Sequence, residues 1–485
     1  MTSTREKKQA TLFDAILCVG FLIVTLVTCL VVLKDYEISA HIPLILGGLF
    51  AGCIAIFKLG FTWKELEEGI LETINTTMQS ILILLVVGIL IGTWIISGIV
   101  PSMIYWGLNI LSPSIFLVAT TIICAIVSIS TGSSWTTVGT IGIALLGIGS
   151  ALGIPSSIIA GAIISGAYFG DKMSPLSDTT NLAPAMAGTN LFDHIKHMLY
   201  TTVPALAISL ILYGILGMKY AGSQINTSQI TEIQNALLNN FNTLSPFLFL
   251  VPIAVIAMVI LKVPAIPALM IGALLGGLVA VAFQGNSVAD VIVTAKVGYT
   301  SNSGMVFVDE LLSRGGLESM LDTVALMMCA LVTGGILEKS GILQALAVAI
   351  LKVAKGAFGL IAATIFTAIG TNLAVADQYL AIVIPGSMYR DAFKKQGLAA
   401  KNLSRALEDS ATVTSSLIPW NTCGAYMSAT MNVGCFAFLP FAFFNLLCPV
   451  ISLFYGLTGL TIEKLPEEAT EESKNKKIKE ITDNL

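Results

Sequence analysis

The sequence predicts an all-α polytopic membrane protein with about 11 to 13 hydrophobic segments. Of the 485 residues, 55% are hydrophobic and only 11% are charged, whereas about 25% of the residues of an average soluble domain are charged. Between Glu72 and Asp171 lie 98 consecutive residues without Asp, Glu, Lys or Arg, and one membrane-spanning helix needs only about 20. The formal net charge of -4 excludes the basic surface that nucleic-acid binding requires, so we expect no nucleic-acid partner.

The N-terminal segment 1–37 is predicted to form the first membrane-spanning helix, with its N-terminus in the cytoplasm. The apolar run from Ala15 to Leu33 is longer than the roughly 7 to 15 residues of a signal-peptide core. Positive residues stay on the cytoplasmic side of a membrane, and here they precede this run and collect in one later loop: Arg5, Lys7, Lys8, Arg390, Lys394, Lys395, Lys401 and Arg405. We expect the charged tail 461–485 to be cytoplasmic as well, and the polar loop from Lys219 to Ser245 to be external.

The middle of the chain is predicted to be duplicated, with a first repeat at 38–217 and a second at 262–460. Residues 218–261 then form the external loop and one connecting membrane helix. Four pairs of motifs follow one another in the same order: Ile42-Pro43 and Ile266-Pro267 at an offset of 224, Ser97-Gly98 and Ser340-Gly341 at 243, Ser130-Thr131-Gly132 and Gly370-Thr371-Asn372 at 240, and Asp171 and Asp409 at 238. The rise from 224 to 243 predicts an insertion in the second repeat, near the polar segment from Ser301 to Gly316.

The charges also predict that the two repeats are inverted in the membrane. A cytoplasmic start of the first helix makes the helix after Pro43 run inward, whereas a cytoplasmic Lys262 makes the helix after Pro267 run outward. Many secondary transporters have this arrangement, with a binding site near the bilayer midplane where the broken helices of the two repeats meet. The sequence therefore predicts a membrane transporter rather than a channel or an enzyme.

Four polar segments interrupt the apolar runs and are predicted to be the broken helices or re-entrant hairpins. The first repeat contributes 128–140 and 170–184, and in the latter Pro175 and Pro184 cannot donate backbone hydrogen bonds. The second repeat contributes 370–379 and 408–424. Unwound backbone at membrane depth is tolerated only against protein or a water-filled cavity. Continuous helices with a hydroxyl-rich packing face, and ordinary polar loops, are the alternatives at this point.

Carboxylates within these segments are the candidate cation or proton sites. Asp178 and Asp377 are the leading candidates, because a carboxylate at the centre of a membrane costs about 2.5 to 3.5 kcal/mol and usually serves a function. Asp171 and Asp409 have a structural alternative as members of ion pairs, since Lys172 follows Asp171 directly and Arg405 precedes Asp409 by four residues. In an exchange of Na⁺ for H⁺, a carboxylate would bind the two ions in turn.

The segment 161–205, GAIISGAYFGDKMSPLSDTTNLAPAMAGTNLFDHIKHMLYTTVPA, resembles the NhaC family of bacterial Na⁺/H⁺ antiporters. The run STGSSWTTVGTIGIALLGIG before it is similar to that family too, and the resemblance extends over most of the chain. It implies an elevator-like fold, in which a transport domain with paired hairpins moves against a scaffold domain, and a homodimer in the bacterial cytoplasmic membrane. It also implies that Na⁺ and H⁺ are the cargo, and we expect no cofactor and no enzymatic activity.

The family motif GDKMSPLSDTTNLAP supplies one set of candidate residues. Carried over onto this sequence, it implies cation or proton binding by Asp171, Ser174, Ser177, Asp178, Thr180 and Asn181. The polar segments of both repeats add further candidates: Thr131, Asn372, Asp377, Asp409, Thr414 and Ser415. Within this set we predict Na⁺ at Asp178, Asn181 and Asp377.

An organic substrate coupled to Na⁺ or H⁺ is the alternative prediction. Members of the family that the chain resembles include malate/Na⁺-lactate antiporters and amino-acid carriers, so a small organic anion or an amino acid is a second candidate cargo. Such a cargo needs hydrogen-bond donors, which helix N-termini and polar side chains can supply. The candidate donors are Ser133, Ser134, Thr136, Asn421 and Thr422.

Overall fold

The computed structural model describes residues 7–33, 39–110, 112–221 and 227–465. The helices that precede the predicted second repeat are α1 (Leu12–Val27), α2 (His41–Ile54), α3 (Trp63–Ile96), α4 (Ile99–Ile110), α5 (Pro113–Thr131), α6 (Ser134–Thr137), α7 (Ile143–Ala151), α8 (Ser156–Met173), α9 (Asp178–Ala187), α10 (Leu191–Ala221), α11 (Thr227–Asn240) and α12 (Leu250–Ile260). The helices that follow are α13 (Ala265–Gln284), α14 (Val288–Val297), α15 (Val306–Leu312), α16 (Leu321–Lys339), α17 (Ile342–Val353), α18 (Gly356–Val375), α19 (Gln378–Lys395), α20 (Ala400–Leu407), α21 (Val413–Ser415), α22 (Thr422–Met431), α23 (Cys435–Phe438) and α24 (Phe443–Thr458). Most of the predicted tail 461–485, from 466 onward, lies outside the described residues.

Nine helices in the described ranges are long and apolar enough to cross a membrane. A tenth span results if the bent pair Cys435–Phe441 and Phe443–Thr458 counts as one, and there are three shorter apolar helices, Ile99–Ile110, Pro246–Ile260 and Ile342–Val353. Large apolar side chains such as Leu274 and Leu278 of α13 are about two-thirds exposed, as expected of a surface that faces lipid. The predicted class, a polytopic all-α membrane protein, is confirmed.

Small residues bring α13 and α16 close to the long helix α3. Gly272 and Gly276 of α13 lie against Trp94 of α3, and the indole nitrogen of Trp94 donates to the carbonyl of Gly272 at 3.0 Å. On another part of α3, Gly335 of α16 lies against the backbone of Ile70. The glycines leave room for the Trp94 ring in the first contact and for the backbone of Ile70 in the second, so the helices pack tightly, as is common in membrane proteins. The 34-residue α3 thus packs the first half of the chain against the second.

The helices recur in the same order in the two halves of the described chain. α2 and α13 begin 224 residues apart, at His41 and Ala265. Five later pairs begin 243 or 244 residues apart: α4 and α17, α5 and α18, α6 and α19, α8 and α20, and α9 and α22. The offset changes between α14 and α16, where the second half contains α15 and the loops around it. The domain bounds and the inversion of the halves in the membrane stay predictions.

Two of the predicted repeat matches have the wrong register. Gly132 ends α5 and Ala376 ends α18, both with left-handed backbone (φ 70° and 62°), so the offset at this break is 244 rather than 240. The same register places Asp171 opposite Ser415, not opposite Asp409, since Asp171 and Ser415 both lie in the last turn before a helix break. The predicted offsets align residues of similar type, whereas the equivalent bends of the backbone lie a few residues away.

Candidate functional site

Four helix breaks bring polar side chains into the interior of the protein. After each break a new helix begins, and a side-chain oxygen at its N-cap accepts a hydrogen bond from the first free backbone N–H groups. Ser, Asp and Asn are favoured at this position because their oxygens replace the missing carbonyls of a preceding turn. The capping residues are Ser133 before α6, Ser177 before α9, Asp377 before α19 and Asn421 before α22.

The unwound regions are shorter than the sequence predicts. α8 remains helical to Met173, and α9 begins at Asp178 and contains Pro184. In the second half α18 continues to Val375, and a π-helical turn, Glu408–Thr412, continues the helix that α20 begins. Backbone hydrogen bonds are costly to lose inside a membrane, so only the few residues between consecutive helices are unwound.

The two breaks of the second half contact each other, and α22 also contacts α6 of the first half. The backbone N–H of Thr422 donates to the carbonyl of Ala376 at 2.9 Å, which joins the break before α22 to the break before α19. The ring of Tyr426 stacks on Trp135 with centroids 4.0 Å apart, and its hydroxyl donates to the carbonyl of Trp135 at 2.8 Å. These contacts fix α22 against α6, so side chains from both halves surround one region.

A cavity of about 500 Å³ lies between α3, the turn before α13 and three of the breaks, those before α6, α9 and α19. Asp171 and Asp178 line it together, and hydroxyl-bearing side chains surround the two carboxylates: Thr131, Ser133, Thr136, Ser177, Thr179 and Tyr379. The turn before α13 contributes Lys262, which is exposed. The hydroxyl of Thr136 is buried without a hydrogen-bond partner. The cavity therefore combines negative charge, oxygen ligands and a connection to the surface.

Asp171 is fixed at the cavity wall by three hydrogen bonds. Oδ2 accepts from the hydroxyl of Ser134 at 2.6 Å and from its backbone N–H at 3.1 Å, and Oδ1 accepts from the hydroxyl of Ser177 at 2.6 Å. Ser134 begins α6 and Ser177 caps α9, so one carboxylate connects both breaks of the first half. Asp171 is only 8% exposed, and a carboxylate held in this way can contact a cation without rearranging.

Asp377 does not line the cavity, although the next two residues, Gln378 and Tyr379, do. Its carboxylate accepts from the backbone N–H groups of Tyr379 and Leu380 at 2.9 and 3.0 Å and from the hydroxyl of Thr77 on α3 at 3.1 Å. These bonds hold the start of α19 against α3. Asp377 thus anchors the break and lies behind the cavity wall.

The three residues predicted to bind Na⁺ are not gathered at one point. Asp178 lines the cavity, whereas Asp377 is buried behind it. Asn181 is exposed, and its amide donates to two backbone carbonyls of the break at 2.7 and 2.9 Å. Within the described ranges, no group of three or more His, Cys, Asp or Glu side chains could hold a metal ion. A cation in the cavity would be held by Asp171 or Asp178 together with hydroxyl and carbonyl oxygens.

Asp409 forms an ion pair, which is the structural alternative predicted for it. Its partner is Lys172 rather than Arg405. Both side chains are fully buried, and the ammonium of Lys172 donates to Oδ1 of Asp409. The hydroxyl of Thr201 donates to the same oxygen at 2.8 Å. The ion pair therefore links α8 to the helix that continues from α20.

The other predicted residues of the first half stabilise the breaks. The hydroxyl of Ser174 donates to the carbonyl of Ile129 at 2.7 Å, so it joins α8 to the end of α5. The hydroxyl of Thr180 donates to the carbonyls of Asp171 and Lys172 at 3.1 and 3.0 Å. Carbonyls at the end of a helix lack partners in a following turn: the carbonyl of Asp171 also accepts from the backbone N–H of Ser174 at 3.2 Å, and Thr180 supplies a further donor to both carbonyls.

The predicted residues of the second half form a buried polar cluster. The amide of Asn372 donates to the hydroxyl of Thr414 at 3.2 Å and to the carbonyl of Ala411 at 2.7 Å. The amide of Asn421 donates to Oδ1 of Asn372 at 3.1 Å, and the hydroxyl of Ser415 donates to the carbonyl of Thr412 at 2.6 Å. The residues that line the cavity do not include this cluster, so its contacts position the second-half breaks.

α3 contributes residues to the site that were not among the candidates predicted from sequence. Gln79 and Ser80 line the cavity, and Thr77 donates to Asp377. The signal for these residues is the polar stretch from Asn75 to Ser80, which interrupts the apolar pattern at the start of the uncharged region.

Replacing Gly132 with Ala is expected to destabilise the protein, because the added methyl group would push two of the breaks apart. Gly132 has φ 70°, and a Cβ at this position would lie 2.7 Å from the backbone carbon of Leu176 in the next break. The left-handed conformation alone costs about 1 to 2 kcal/mol. Gly153 is the matched control, since it has φ 75° but nothing within 4 Å of a Cβ. Thermal unfolding in detergent should show a larger loss for Gly132→Ala than for Gly153→Ala, and equal losses would contradict the contact.

A membrane-helix bundle with broken helices around a polar, carboxylate-bearing cavity defines a membrane carrier. The chain belongs to the Na⁺/H⁺ antiporter family, whose family model matches residues 166–460, and the resemblance to the NhaC family is confirmed. The Na(+)/H(+) antiporter NhaC of Alkalihalophilus pseudofirmus is 41% identical over 94% of this chain and 98% of that protein. The malate-2H(+)/Na(+)-lactate antiporter of Bacillus subtilis is 36% identical over 94% and 96% of the two chains. The arginine/ornithine antiporter ArcD of Halobacterium salinarum is 37% identical over 96% of each.

Proposed function

We propose that this protein exchanges Na⁺ for H⁺ across the bacterial cytoplasmic membrane as a secondary active transporter. The observation that carries the proposal is the cavity in which Asp171 and Asp178 lie among the hydroxyls of the broken helices. The relative from Alkalihalophilus pseudofirmus, which is named a Na(+)/H(+) antiporter, supports the same cargo. No cofactor takes part, and the protein has no enzymatic role.

The breaks supply the groups that a dehydrated cation requires. The ends of α5 and α18 expose carbonyl oxygens that have no further helical partner, and unwound carbonyls and half-helix C-termini coordinate Na⁺ in other carriers. Asp171 and Asp178 supply the negative charge, while Ser133, Ser177 and Thr136 supply neutral oxygens around it. Asp171 is the main cation ligand because its position is fixed by Ser134 and Ser177.

Transport proceeds by alternating access. The cavity reaches the exposed Lys262, which the positive-inside pattern places in the cytoplasm together with both termini, so this conformation is open to the inside. The four breaks form the moving transport domain, and α3 and α13 belong to the scaffold, which also carries the contact between the two subunits of a homodimer. Such an elevator-like motion carries the breaks and their cation past α3.

The direct test uses purified protein in liposomes that contain a pH-sensitive dye, with Na⁺ added outside and no carboxylic or amino acid present. We expect saturable proton movement. Asp178→Asn should reduce its rate by about tenfold, or about 1.4 kcal/mol, because Asp178 lines the cavity but remains solvated. Asp391→Asn, which removes an exposed carboxylate at the end of α19, is the control and should leave the rate unchanged.

A second candidate cargo is a small organic anion or an amino acid. The cavity of about 500 Å³ is larger than a bare cation needs and lies within the range of about 300 to 1,000 Å³ of small-molecule sites. Two of the relatives are named for malate and lactate and for arginine and ornithine. If no protons move with Na⁺ as the only added solute, but protons move once one of these compounds is added, this alternative is established. Simple exchange of Na⁺ for H⁺ is then refuted.

A further inference from the structure

Glu408 is a buried carboxylate whose presence the cavity and the helix breaks do not explain. It lies on the π-helical turn between α20 and α21, it is 0% exposed, and neither of its oxygens has a hydrogen-bond partner. An ionised carboxylate without a partner is strongly disfavoured in a protein interior, and π-helical turns are frequent at functional sites. Glu408 therefore requires either a proton or a counter-charge.

The charges around Glu408 do not neutralise it in full. Titratable side chains face it from the neighbouring helices and from its own: Lys172 and Asp171 on α8, Cys448 on α24, Arg405 and Asp409 beside it, and, near Lys172, His194 on α10. Arg405 is directed away, since it donates to the hydroxyl of Thr461 at 2.9 Å. The ammonium of Lys172 is thus shared between two carboxylates, Glu408 and Asp409, and Asp171 adds a third negative charge near them. Further positive charge, as protons or a cation, has to enter this cluster.

The remaining elements against the turn contribute no further charge to it. α18 contains no titratable residue. On α19, Tyr389 is hydrogen-bonded to the hydroxyl of Thr367 at 2.5 Å, and the charged side chains are exposed: Arg390, Asp391, Lys394 and Lys395. On α9 the titratable residue is Asp178, which lines the cavity. The charge on Glu408 is therefore set mainly by Lys172 and by what occupies the cavity.

A short series of hydroxyls leads from Glu408 to the cavity, although Glu408 makes no hydrogen bond to the first of them. Thr179 lies close to Glu408 and also lines the cavity. Its hydroxyl is 3.1 Å from the hydroxyl of Ser177, which in turn donates to Asp171 at 2.6 Å. Hydroxyls both donate and accept hydrogen bonds, so this series can pass a proton between Glu408 and the cavity.

We propose that Glu408 binds and releases the transported proton, in exchange for a cation held at Asp171 and Asp178. When Na⁺ enters the cavity, the O–H bond of the Glu408 carboxyl breaks and the proton leaves through Thr179 and Ser177 to water in the cavity. The carboxylate that forms is stabilised by Lys172, whose ammonium has three donors and is therefore not used up by Asp409. One positive charge enters as one leaves. The inference rests on the proposed exchange of Na⁺ for H⁺.

The test compares two transport modes of Glu408→Gln in liposomes. Gln has the shape of a protonated Glu and cannot release a proton, so Na⁺-driven proton movement should be lost. Exchange of external ²²Na⁺ for internal Na⁺, which requires no proton, should persist. Glu67→Gln, which changes an exposed carboxylate on α3, is the matched control and should retain both modes.

Two results with Glu408→Gln would overturn the assignment. The first is Na⁺-driven proton movement with the pH dependence of the unmutated protein. The second is the loss of Na⁺ exchange as well as proton movement in protein that elutes normally from size-exclusion chromatography, because Glu408 would then serve the cation. If Glu408→Gln does not fold, Glu408→Asp replaces it: a shifted pH dependence of proton movement supports the assignment, and an unshifted one overturns it. Failure of the proposed function itself would differ, since the unmutated protein would then move no protons with Na⁺.

Discussion

Asp171→Asn should greatly weaken Na⁺-driven proton movement in protein that still folds. Asn has the shape of Asp and can accept hydrogen bonds through its one oxygen, so part of the network with Ser134 and Ser177 is retained. The cation, however, loses the negative charge that is fixed at the cavity wall. We expect the apparent Na⁺ affinity to fall by at least about 100-fold, or about 2.7 kcal/mol. Dye-loaded liposomes with increasing external Na⁺ measure this change directly.

The comparison with Asp178→Asn and Asp391→Asn makes this result specific. All three variants remove one carboxylate, but Asp171 is fixed by three hydrogen bonds, Asp178 lines the same cavity without such support, and Asp391 is exposed at the end of α19. The loss of Na⁺-driven proton movement is therefore expected to be largest for the Asp171 variant, smaller for the Asp178 variant and absent for the Asp391 variant. A protein that transports Na⁺ normally with Asn at 171 would refute the proposed cation site.

The sequence was sufficient to predict the membrane class and the positions of the breaks. The 98 uncharged residues and the polar segments that interrupt the apolar runs can be recognised from local composition, because the membrane interior strongly restricts both the length of a span and the exposure of unpaired backbone. Ser133, Ser177, Asp377 and Asn421 were all candidates from sequence, and all four cap a helix at a break. Capping is a local interaction, so the residue types alone indicate where a helix starts.

Contacts between distant segments could not be predicted in the same way. Lys172 and Asp409 are 237 residues apart, and Thr77 and Asp377 are 300 apart. From the sequence, Lys172 was expected to pair with Asp171, its neighbour in the chain. In the fold it pairs instead with Asp409 on another helix. The register of the repeat failed for a related reason, because equivalent backbone bends at Gly132 and Ala376 carry different residue types.

Removing one partner of the buried Lys172–Asp409 pair should destabilise the protein more than the loss of an exposed ion pair or the change of Gly132 to Ala. Lys172→Met leaves Asp409 fully buried with only the hydroxyl of Thr201 donating to it at 2.8 Å. Breaking a buried ion pair from one side costs about 3 to 5 kcal/mol, because the remaining charge is uncompensated. We expect a large fall in the thermal unfolding temperature in detergent, and a similar fall for Asp409→Leu.

The double variant Lys172→Met with Asp409→Leu separates loss of the pair from loss of packing. Replacing a whole buried ion pair with apolar residues of similar volume is often close to neutral, so the double variant should recover most of the stability that either single variant loses. Lys401→Met is the partly exposed control: Lys401 and Glu463 are 2.5 Å apart with side chains 24% and 45% exposed, and solvent-accessible pairs contribute about 0 to 1 kcal/mol. If the double variant is as unstable as the single variants, the residues contribute through shape rather than charge. Recovery would show that Lys172 and Asp409 neutralise each other, which leaves Glu408 as the carboxylate of this cluster without a dedicated counter-charge.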